Sequence, residues 1–335
     1  MKSLVLSAFL AAFLIPTFAA TPHAACPGED ILAGLAPERV AAITAAAAVG
    51  PYPEGRLFRA TRAGSEVTLV GTLHLPDPRF ASLEERLAPI LAGASALLVE
   101  AGPDEEAQLK ARMGQPGSPM FSTGPTLPER LPEAEWMHLA AELTARGIPP
   151  FLGAKMEPWF LSTMLAVSPC QLQELNRGGE GLDARLITSA EAQGIAVRAL
   201  EPWDTIFRLF GEMTDEEEIT GLRVALLQAG QADDMTYTLT ELYFQGRIRL
   251  IWEIGAELAR ELAPEVGLSA EDVDAQLAEA DELLLVGRNR DWIAPIEAAA
   301  AEGPVLVAVG ALHLVGRDGV LAMLENRGWA ITRLD

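Results

Sequence analysis

The sequence predicts an α/β protein whose central sheet is formed by two pseudo-symmetric halves, each containing a β-α-β unit, and is surrounded by helices. Two observations predict this class: strand and helix patterns alternate near both ends of the chain, and the two stretches match in their order. A third observation is the almost entirely helical pattern of residues 203–300, which indicates a helical insertion.

The first β-α-β unit follows from three consecutive patterns. β-branched and apolar residues predict strands over residues 65–71 and 96–101. Between them, residues 82–94 have the apolar spacing of an amphipathic helix, and Ser82 and Glu85 have the spacing of a capping box. Two strands joined by a helix in this way are expected to run parallel.

The second unit lies at the C-terminal end of the chain. We predict a strand over residues 304–310 and a helix over residues 318–328 that ends at a glycine. A further strand is predicted over residues 329–334. In the middle of the chain, residues 181–201 predict a helix followed by a strand that runs up to Glu201. The same order of elements therefore recurs along the chain.

Composition excludes some classes of partner. The chain has 335 residues, of which 25 are Lys or Arg and 47 are Asp or Glu, giving a formal net charge of -22. Such a charge repels phosphate backbones and anionic lipid surfaces at long range, so nucleic acid is not an expected partner.

The N-terminal residues have the features of an export signal. A lysine near the start precedes an apolar stretch over residues 4–15, and small residues near positions 18–20 suit a signal peptidase. Pro16 interrupts the stretch too early for a membrane span, and no later run approaches the roughly 20 apolar residues that a spanning helix needs. We therefore expect a signal peptide over residues 1–20, cleaved within a few residues of that end, and a secreted, periplasmic protein without stable membrane insertion.

Export changes what the two cysteines imply. An oxidising compartment favours pairing, so a disulfide between Cys26 and Cys170 is the first expectation, with two unpaired buried thiols as the alternative. Because no linker is apparent, we expect residues 26–335 to form a single domain.

Two of the four histidines end apolar runs in the same way. His74 and His313 each stand three residues after a glycine, Gly71 and Gly310, at the end of a predicted strand. The glycines are expected to let the backbone turn sharply and approach a bound ion closely. A polar ring hydrogen-bonded to the backbone is the alternative interpretation of either histidine.

Topology brings acidic residues to the same place. Glu100 closes the second strand and Glu201 closes the middle strand, and parallel strands present their C-terminal ends at one edge of a sheet. If the final unit joins that sheet, His313 arrives beside His74. Two imidazoles and one or two carboxylates would suit a divalent transition metal, and such an ion activates water for amide or ester hydrolysis. Manganese, cobalt, zinc and iron all accept this ligand set, so the sequence does not choose among them.

Several short stretches in a fixed order resemble the TraB/GumN family, which includes the Tiki metalloproteases. The matching stretches are GTLH at 71–74, LLVE at 97–100, KMEPWFLSTML at 155–165 with Cys170 after it, GLDARL at 181–186, ALE at 199–201, RNRDW at 288–292 and GALHL at 310–314. The family is similar to a wider erythromycin-esterase-like and ChaN-like superfamily, which implies an α/β core of two pseudo-symmetric halves. The resemblance covers the chain from about residue 26 onward.

The resemblance implies roles for individual residues. His74 and His313 would be metal ligands, and Glu100 a ligand or the general base of peptide-bond cleavage. Arg288 and Asn289 match an Arg-Asn pair of the family, and an arginine there would bind a substrate carboxylate or stabilise an oxyanion. The family often has an acidic residue before that arginine, whereas this chain has Gly287.

Two further acidic positions match the family. Glu201 is expected to be a metal ligand, while Asp183 has an ordinary alternative, because its position suits a helix cap.

Two functions follow as expectations. The first is an exported, metal-dependent hydrolase, a peptidase, that uses water activated between the two Gly-x-x-His motifs and a glutamate. The second is a non-catalytic periplasmic protein that sequesters a peptide or another small ligand. Specificity would come from the helical insertion and from residues 113–130, whose Gly, Pro, Ser and Thr content predicts a loop. The sequence indicates neither the substrate nor the oligomeric state.

Overall fold

The computed structural model describes residues 26–211 and 213–335, so the predicted signal peptide lies outside the described residues. Six strands form one sheet. They are β1 (Leu57–Arg62), β2 (Ser65–Thr72), β3 (Ala96–Val99), β4 (Ala196–Ala199), β5 (Val305–Gly310) and β6 (Ala330–Arg333). Their order across the sheet is β4-β3-β5-β2-β1-β6. The predicted α/β class is confirmed.

Helices surround the sheet. They are α1 (Ile31–Gly34), α2 (Pro37–Ala47), α3 (Phe80–Ala92), α4 (Pro103–Met113), α5 (Leu127–Arg130), α6 (Glu133–Ala145), α7 (Pro150–Gly153), α8 (Pro158–Ala166), α9 (Pro169–Asn176), α10 (Leu182–Ala192), α11 (Thr205–Phe210), α12 (Asp215–Gln228), α13 (Ala232–Phe244), α14 (Ile248–Leu262), α15 (Ala270–Asp281), α16 (Gly287–Glu302) and α17 (Val320–Asn326). A π-helical turn, Glu282–Val286, joins α15 to α16. Short 3₁₀ turns are Ala229–Gln231, Ala263–Val266 and Ala311–His313.

The four strands β2, β3, β4 and β5 run parallel, and the two matched strands β2 and β5 are neighbours. Thr72 pairs with Gly310 in the register of β2 and β5, so the two Gly-x-x-His motifs leave the sheet side by side. We call this side of the sheet, where β2, β3, β4 and β5 end, the carboxyl edge. It is the side on which α/β proteins place their sites.

Burial in the core explains why the central strands are continuous apolar runs and do not alternate between apolar and polar residues. β3 is buried at every position and β5 at all but its last, because helices cover both faces of a parallel sheet. Leu98 and Val307, which pair in the register, belong to the cluster beneath the carboxyl edge. Two smaller apolar clusters lie outside the sheet, one around α6, α8 and α12 and the other between α2 and α14.

The two β-α-β units differ in detail from the prediction. β5 lies between β2 and β3, and β6 lies at the far edge beside β1, antiparallel to it. The strand β1 was not predicted from the sequence. Its exposed and buried positions alternate only in part, and it carries two arginines, so its apolar signal is weak.

Three local features also differ from expectation. The helix predicted over residues 82–94 begins at Phe80, and its N-cap Arg79 makes no side-chain cap, so the Ser82 and Glu85 capping box is not formed. Instead, the Ser82 hydroxyl donates to the Arg79 carbonyl. Part of the loop predicted over residues 113–130 is helical, because α5 occupies its end with a capping box from Thr126.

The Cys26–Cys170 disulfide is present and joins the start of the described chain to α9. No helix in the described part of the chain combines the length and the apolar character needed to cross a membrane.

Candidate active site

Three parallel strands deliver the central residues of the site. His74 follows β2, Glu100 follows β3, and His313 ends the 3₁₀ turn after β5. One Glu100 oxygen, Oε1, accepts a hydrogen bond from the Gly310 backbone N–H at 2.7 Å and lies 3.9 Å from His313 Nε2. The carboxyl edge therefore brings both Gly-x-x-His motifs and Glu100 together.

His313 is buried and held by two partners. Its Nδ1 lies 2.7 Å from Asn289 Oδ1, and its ring centroid is 4.4 Å from that of Trp292. Burial lowers the pKa of His313 to about 4, so the ring is neutral near pH 7. An amide oxygen accepts only, so Nδ1 carries the proton, and the Nε2 lone pair accepts from Arg288 Nη1 at 3.2 Å.

Arg288 lies at the centre of the acidic residues. Its Nε and Nη2 donate to the two oxygens of Glu201 at 2.6 and 2.9 Å, and Nη2 also donates to Glu100 Oε2 at 2.6 Å. Its Nη1 lies 3.2 Å from His313 Nε2. Although burial opposes its charge, these two carboxylates raise the pKa of Arg288, which remains a cation.

The same cation affects Glu100. Burial alone would raise the pKa of this carboxyl. At the acidic pH where it titrates both histidines are protonated, and their charges, Arg288 and the Gly310 N–H lower its pKa to about 2. Glu100 is thus ionised throughout the physiological range. Its side chain is 18 % exposed, so the carboxylate is largely buried but remains accessible to solvent.

Glu201 holds the Arg288 guanidinium in place. Besides Arg288, its Oε1 accepts a hydrogen bond from the indole N–H of Trp292 at 2.9 Å. Both of its oxygens are thereby engaged, and the pair fixes the guanidinium in a two-pronged geometry. The orientation of Arg288 is therefore set by Glu201 and Glu100, without an acidic residue at position 287.

His74 lies at the open side of the site. Its Nδ1 is 3.0 Å from Asp183 Oδ1, and its side chain is 61 % exposed. Partial desolvation opposes protonation, but the pairing with Asp183 and the nearby Glu100 charge raise the pKa of His74 to about 9. Asp183 is in the first turn of α10 and not at its cap, which is Gly181.

The helix α10 can carry Asp183 to His74 only because Gly181 has no side chain. A Cβ built on Gly181 would lie 2.5 Å from the His74 carbonyl carbon. The Leu182 N–H donates to the Leu73 carbonyl at 3.1 Å, which docks the start of α10 against the end of β2.

The two motif glycines are needed for space. Neither has a positive φ, so the backbone conformation at these positions does not itself require glycine, although the chain enters a 3₁₀ turn directly after Gly310. A Cβ on Gly71 would lie 2.8 Å from Ala311, and one on Gly310 would lie 3.2 Å from Glu100 Oε1 and 3.7 Å from His74 Nε2. Glycine is needed because neighbouring backbone and site residues approach so closely.

The structure thus brings together all the predicted site residues of the carboxyl edge: His74, Glu100, Asp183, Glu201, Arg288, Asn289 and His313. Trp292 and Tyr243 had no role predicted from the sequence. The Trp292 indole donates to Glu201, and the Tyr243 hydroxyl donates to the Gly71 carbonyl at 2.8 Å. For Trp292 a signal was available in the sequence: it follows Arg288 by four residues on one helix, so the two side chains lie on the same face.

No group of three or more His, Cys, Asp or Glu side chains is arranged as a metal site across residues 26–211 and 213–335. The Arg288 guanidinium lies among Glu100, Glu201 and His313, and it therefore separates side chains that could otherwise converge on an ion.

Fold and site together define an α/β protein with a histidine, glutamate and arginine centre at the C-terminal ends of parallel strands. A sequence model of the TraB/PrgY/gumN family matches residues 56–333, and the chain belongs to that family. No curated protein matches the chain.

Proposed function

We propose that this protein is an exported, metal-dependent hydrolase that cleaves peptide bonds. One observation carries the proposal: the Nδ1 atom of each motif histidine already has a partner, Asn289 for His313 and Asp183 for His74, so that an ion would be bound by the Nε2 atoms beside Glu100. Because the pairing with Asp183 keeps the His74 ring protonated, ion binding would displace its Nε2 proton. Histidines that bind metal ions are usually held in this way through their other ring nitrogen.

The donor chemistry fits a divalent transition metal. Two imidazole nitrogens and a carboxylate suit manganese, cobalt or zinc, and the space beside Gly310 adjoins all three side chains. Arg288 Nη1 now contacts His313 Nε2, so ion binding would replace that hydrogen bond. A bound ion would supply polarisation of a carbonyl and acidification of water.

The site residues would bind the substrate and transfer the proton. Glu100, ionised by its cationic neighbours, would serve as a ligand or accept a proton from the attacking water. Arg288, fixed by Glu201, would bind the carboxylate of a peptide or the anionic oxygen of a tetrahedral intermediate. Because both Glu201 oxygens are engaged, we assign Glu201 to holding Arg288 in preference to the metal-ligand role expected from the strand topology.

Export is part of the proposal. The N-terminal residues have the pattern of a signal peptide, and a disulfide at Cys26 and Cys170 is typical of proteins in oxidising compartments. A periplasmic location would give the enzyme access to extracytoplasmic peptides.

A specific observation favours the second candidate, a binding protein without turnover. Arg288 already satisfies Glu100, Glu201 and His313 by hydrogen bonds, so the site is internally paired without an added ion. In such a protein His74, whose side chain is 61 % exposed, would line the wall of a ligand site.

Elemental analysis tests the proposal. The protein is purified from the periplasm without chelators, together with His74→Ala, His313→Ala and the matched control His138→Ala, an exposed histidine on α6. We expect about one metal ion per chain in the wild type and the control, and loss of the ion from both site variants. A screen with peptide substrates then uses the metal that was found.

If the wild type binds no manganese, cobalt or zinc after soaking, the hydrolase mechanism is wrong. Tight peptide binding without turnover would then support the second candidate. If the control variant also loses the ion, the metal lies elsewhere on the molecule and the ligand assignment fails.

A further inference from the structure

A cavity of about 120 Å³ lies beside the site and shares one residue with it. Asn289, whose Oδ1 contacts His313 Nδ1, lines this cavity, whereas His74, Glu100, Arg288 and His313 are not among its lining residues in the described part of the chain. We call it the Asp281 cavity. It is therefore a separate space from the one between His74, Glu100 and His313.

The Asp281 cavity has an acidic side. Asp281 is half-buried at the end of α15, and in the described part of the chain it makes no hydrogen bond or close ion pair. Burial raises the pKa of this carboxyl, while the charge of Arg249 opposes the rise. A desolvated carboxylate of this kind is stabilised by a cationic group brought next to it.

The cavity also has a basic side. Arg249 pairs with Glu253 at 3.0 Å and lines the cavity, and its Nη1 would lie 3.7 Å from a Cβ on Gly316, another lining residue. Arg317 also lines the cavity, is exposed, and has no hydrogen-bond or ion-pair partner among the described residues. Arg249, Arg317 and Asp281 thus line a common space, together with Asp318, an exposed residue of the same lining.

We propose that the Asp281 cavity binds a small zwitterion, with its ammonium group at Asp281 and its carboxylate at Arg249 and Arg317. Charge and size select this class. A group of one sign alone would leave either Asp281 or Arg317 without a partner. A cavity of about 150 Å³ accommodates benzene, which has six heavy atoms, and so the present one suits a ligand the size of a small α-amino acid.

The location of this site gives it a consequence for the carboxyl edge. Asp281 directly precedes the π-helical turn Glu282–Val286, and the lining residues Leu285, Val286 and Asn289 belong to the segment that leads into and carries Arg288. π-helical turns inside helices are frequent at functional sites. An occupied cavity would therefore contact the segment that positions Arg288 and Asn289.

Isothermal titration calorimetry of the purified protein without added metal tests the proposal independently of any hydrolase activity. L-Alanine is the probe, and ethylamine and propionate, which each lack one of its charges, are the comparison ligands. We expect saturable binding of L-alanine at one site, and affinities for the two comparison ligands that are weaker by about tenfold or more.

Variants locate the site. Asp281→Asn and Arg317→Gln are each expected to weaken L-alanine binding by about tenfold or more, because each removes one charged partner. Asp291→Asn, an exposed carboxylate on α16 outside the cavity lining, is the matched control and should bind like the wild type. Thermal melting checks that all three variants are folded.

The proposal is overturned if the folded wild type does not bind L-alanine, or if Asp281→Asn and Arg317→Gln bind it as the wild type does. It is also overturned if His74→Ala abolishes binding while the two cavity variants retain it, because the ligand would then occupy the carboxyl edge.

Discussion

At the scale of single residues, the site depends on side chains that orient the candidate catalytic side chains through hydrogen bonds and ion pairs. Asn289 fixes the tautomer of His313, Asp183 faces His74, and Glu201 fixes Arg288. The charged atoms that would meet a substrate are thus oriented before it binds, and such preorganisation is where enzymes gain most of their electrostatic effect.

Gly310→Ala tests the space between the motif residues. The added Cβ would lie 3.2 Å from Glu100 Oε1 and 3.7 Å from His74 Nε2, and the backbone φ of -49° accepts alanine without strain. We expect the protein to fold and its affinity for zinc or manganese to fall by about tenfold or more, measured by competition with a chelating dye.

The matched control is Gly221→Ala in α12, where a Cβ meets no atom within 4 Å. This variant should bind metal like the wild type and gain about 0.5–1 kcal/mol in free energy of unfolding, because alanine favours a helix. Unchanged metal affinity in Gly310→Ala would contradict the proposed position of the ion.

Asn289→Leu tests the hold on His313. The substitution removes the acceptor of the Nδ1 proton and the donor to the Asp318 carbonyl, both in a buried position. We expect the metal affinity to fall by about 10–100-fold, as is usual when an outer partner of a metal-binding histidine is lost. Isothermal titration with zinc measures the effect, and an affinity equal to that of the wild type would show that His313 needs no such partner.

At the scale of elements, α16 links the site to the end of the chain. Its first turns carry Arg288, Asn289 and Trp292, and its later part carries Glu297. Glu297 accepts hydrogen bonds from Arg62 at 2.7 Å, from Arg327 at 2.7 and 3.0 Å, and from the Trp329 indole at 3.0 Å. One carboxylate therefore joins α16, β1 and the segment before β6.

Glu297→Gln is expected to lower the free energy of unfolding by about 1–2 kcal/mol at pH 7. The hydrogen bonds from Arg327 and the other partners lower the pKa of Glu297 to about 2 in the folded protein, against 4.5 ordinarily. A depressed carboxyl pKa stabilises the folded state above the ordinary pKa, and this stabilisation is lost as the pH falls from about 4.5 towards 2.

Urea unfolding at pH 7 and pH 3 measures this dependence. The difference between the wild type and Glu297→Gln should shrink on acidification. A difference that stays constant or grows at pH 3 would mean that packing, and not the charge of Glu297, is responsible.

At the scale of the whole molecule, the disulfide closes a long segment of chain. Cys26 and Cys170 are separated by 144 positions, and α9, which carries Cys170, precedes the turn that leads to Gly181 and Asp183. The N-terminal segment is further fixed to α13, where Thr238 accepts from the Ile31 N–H at 2.9 Å.

Reduction of this disulfide is expected to lower the free energy of unfolding by up to about 4 kcal/mol, because the unfolded chain gains entropy when a long loop opens. Urea unfolding with and without dithiothreitol measures the loss. The Cys26→Ser, Cys170→Ser double variant is the control and should not respond to the reductant; a wild type equally insensitive would contradict the expectation.

The sequence by itself determined the α/β class, the strands that end at His74, Glu100 and His313, and the candidate residues of the site. It did so because buried parallel strands are nearly continuous apolar runs, and because parallel strands must end at one edge. The resemblance of short motifs supplied Arg288, Asn289 and Asp183, which no local pattern singled out.

The tertiary structure decided the rest. It placed β5 between β2 and β3, put β6 at the far edge beside β1, and began α3 at Phe80 instead of forming the Ser82 capping box. It also set Arg288 between Glu100 and Glu201 and gave Glu201 a holding position. These features arise from contacts between segments far apart in the chain, and such contacts leave no periodic signal in either segment alone.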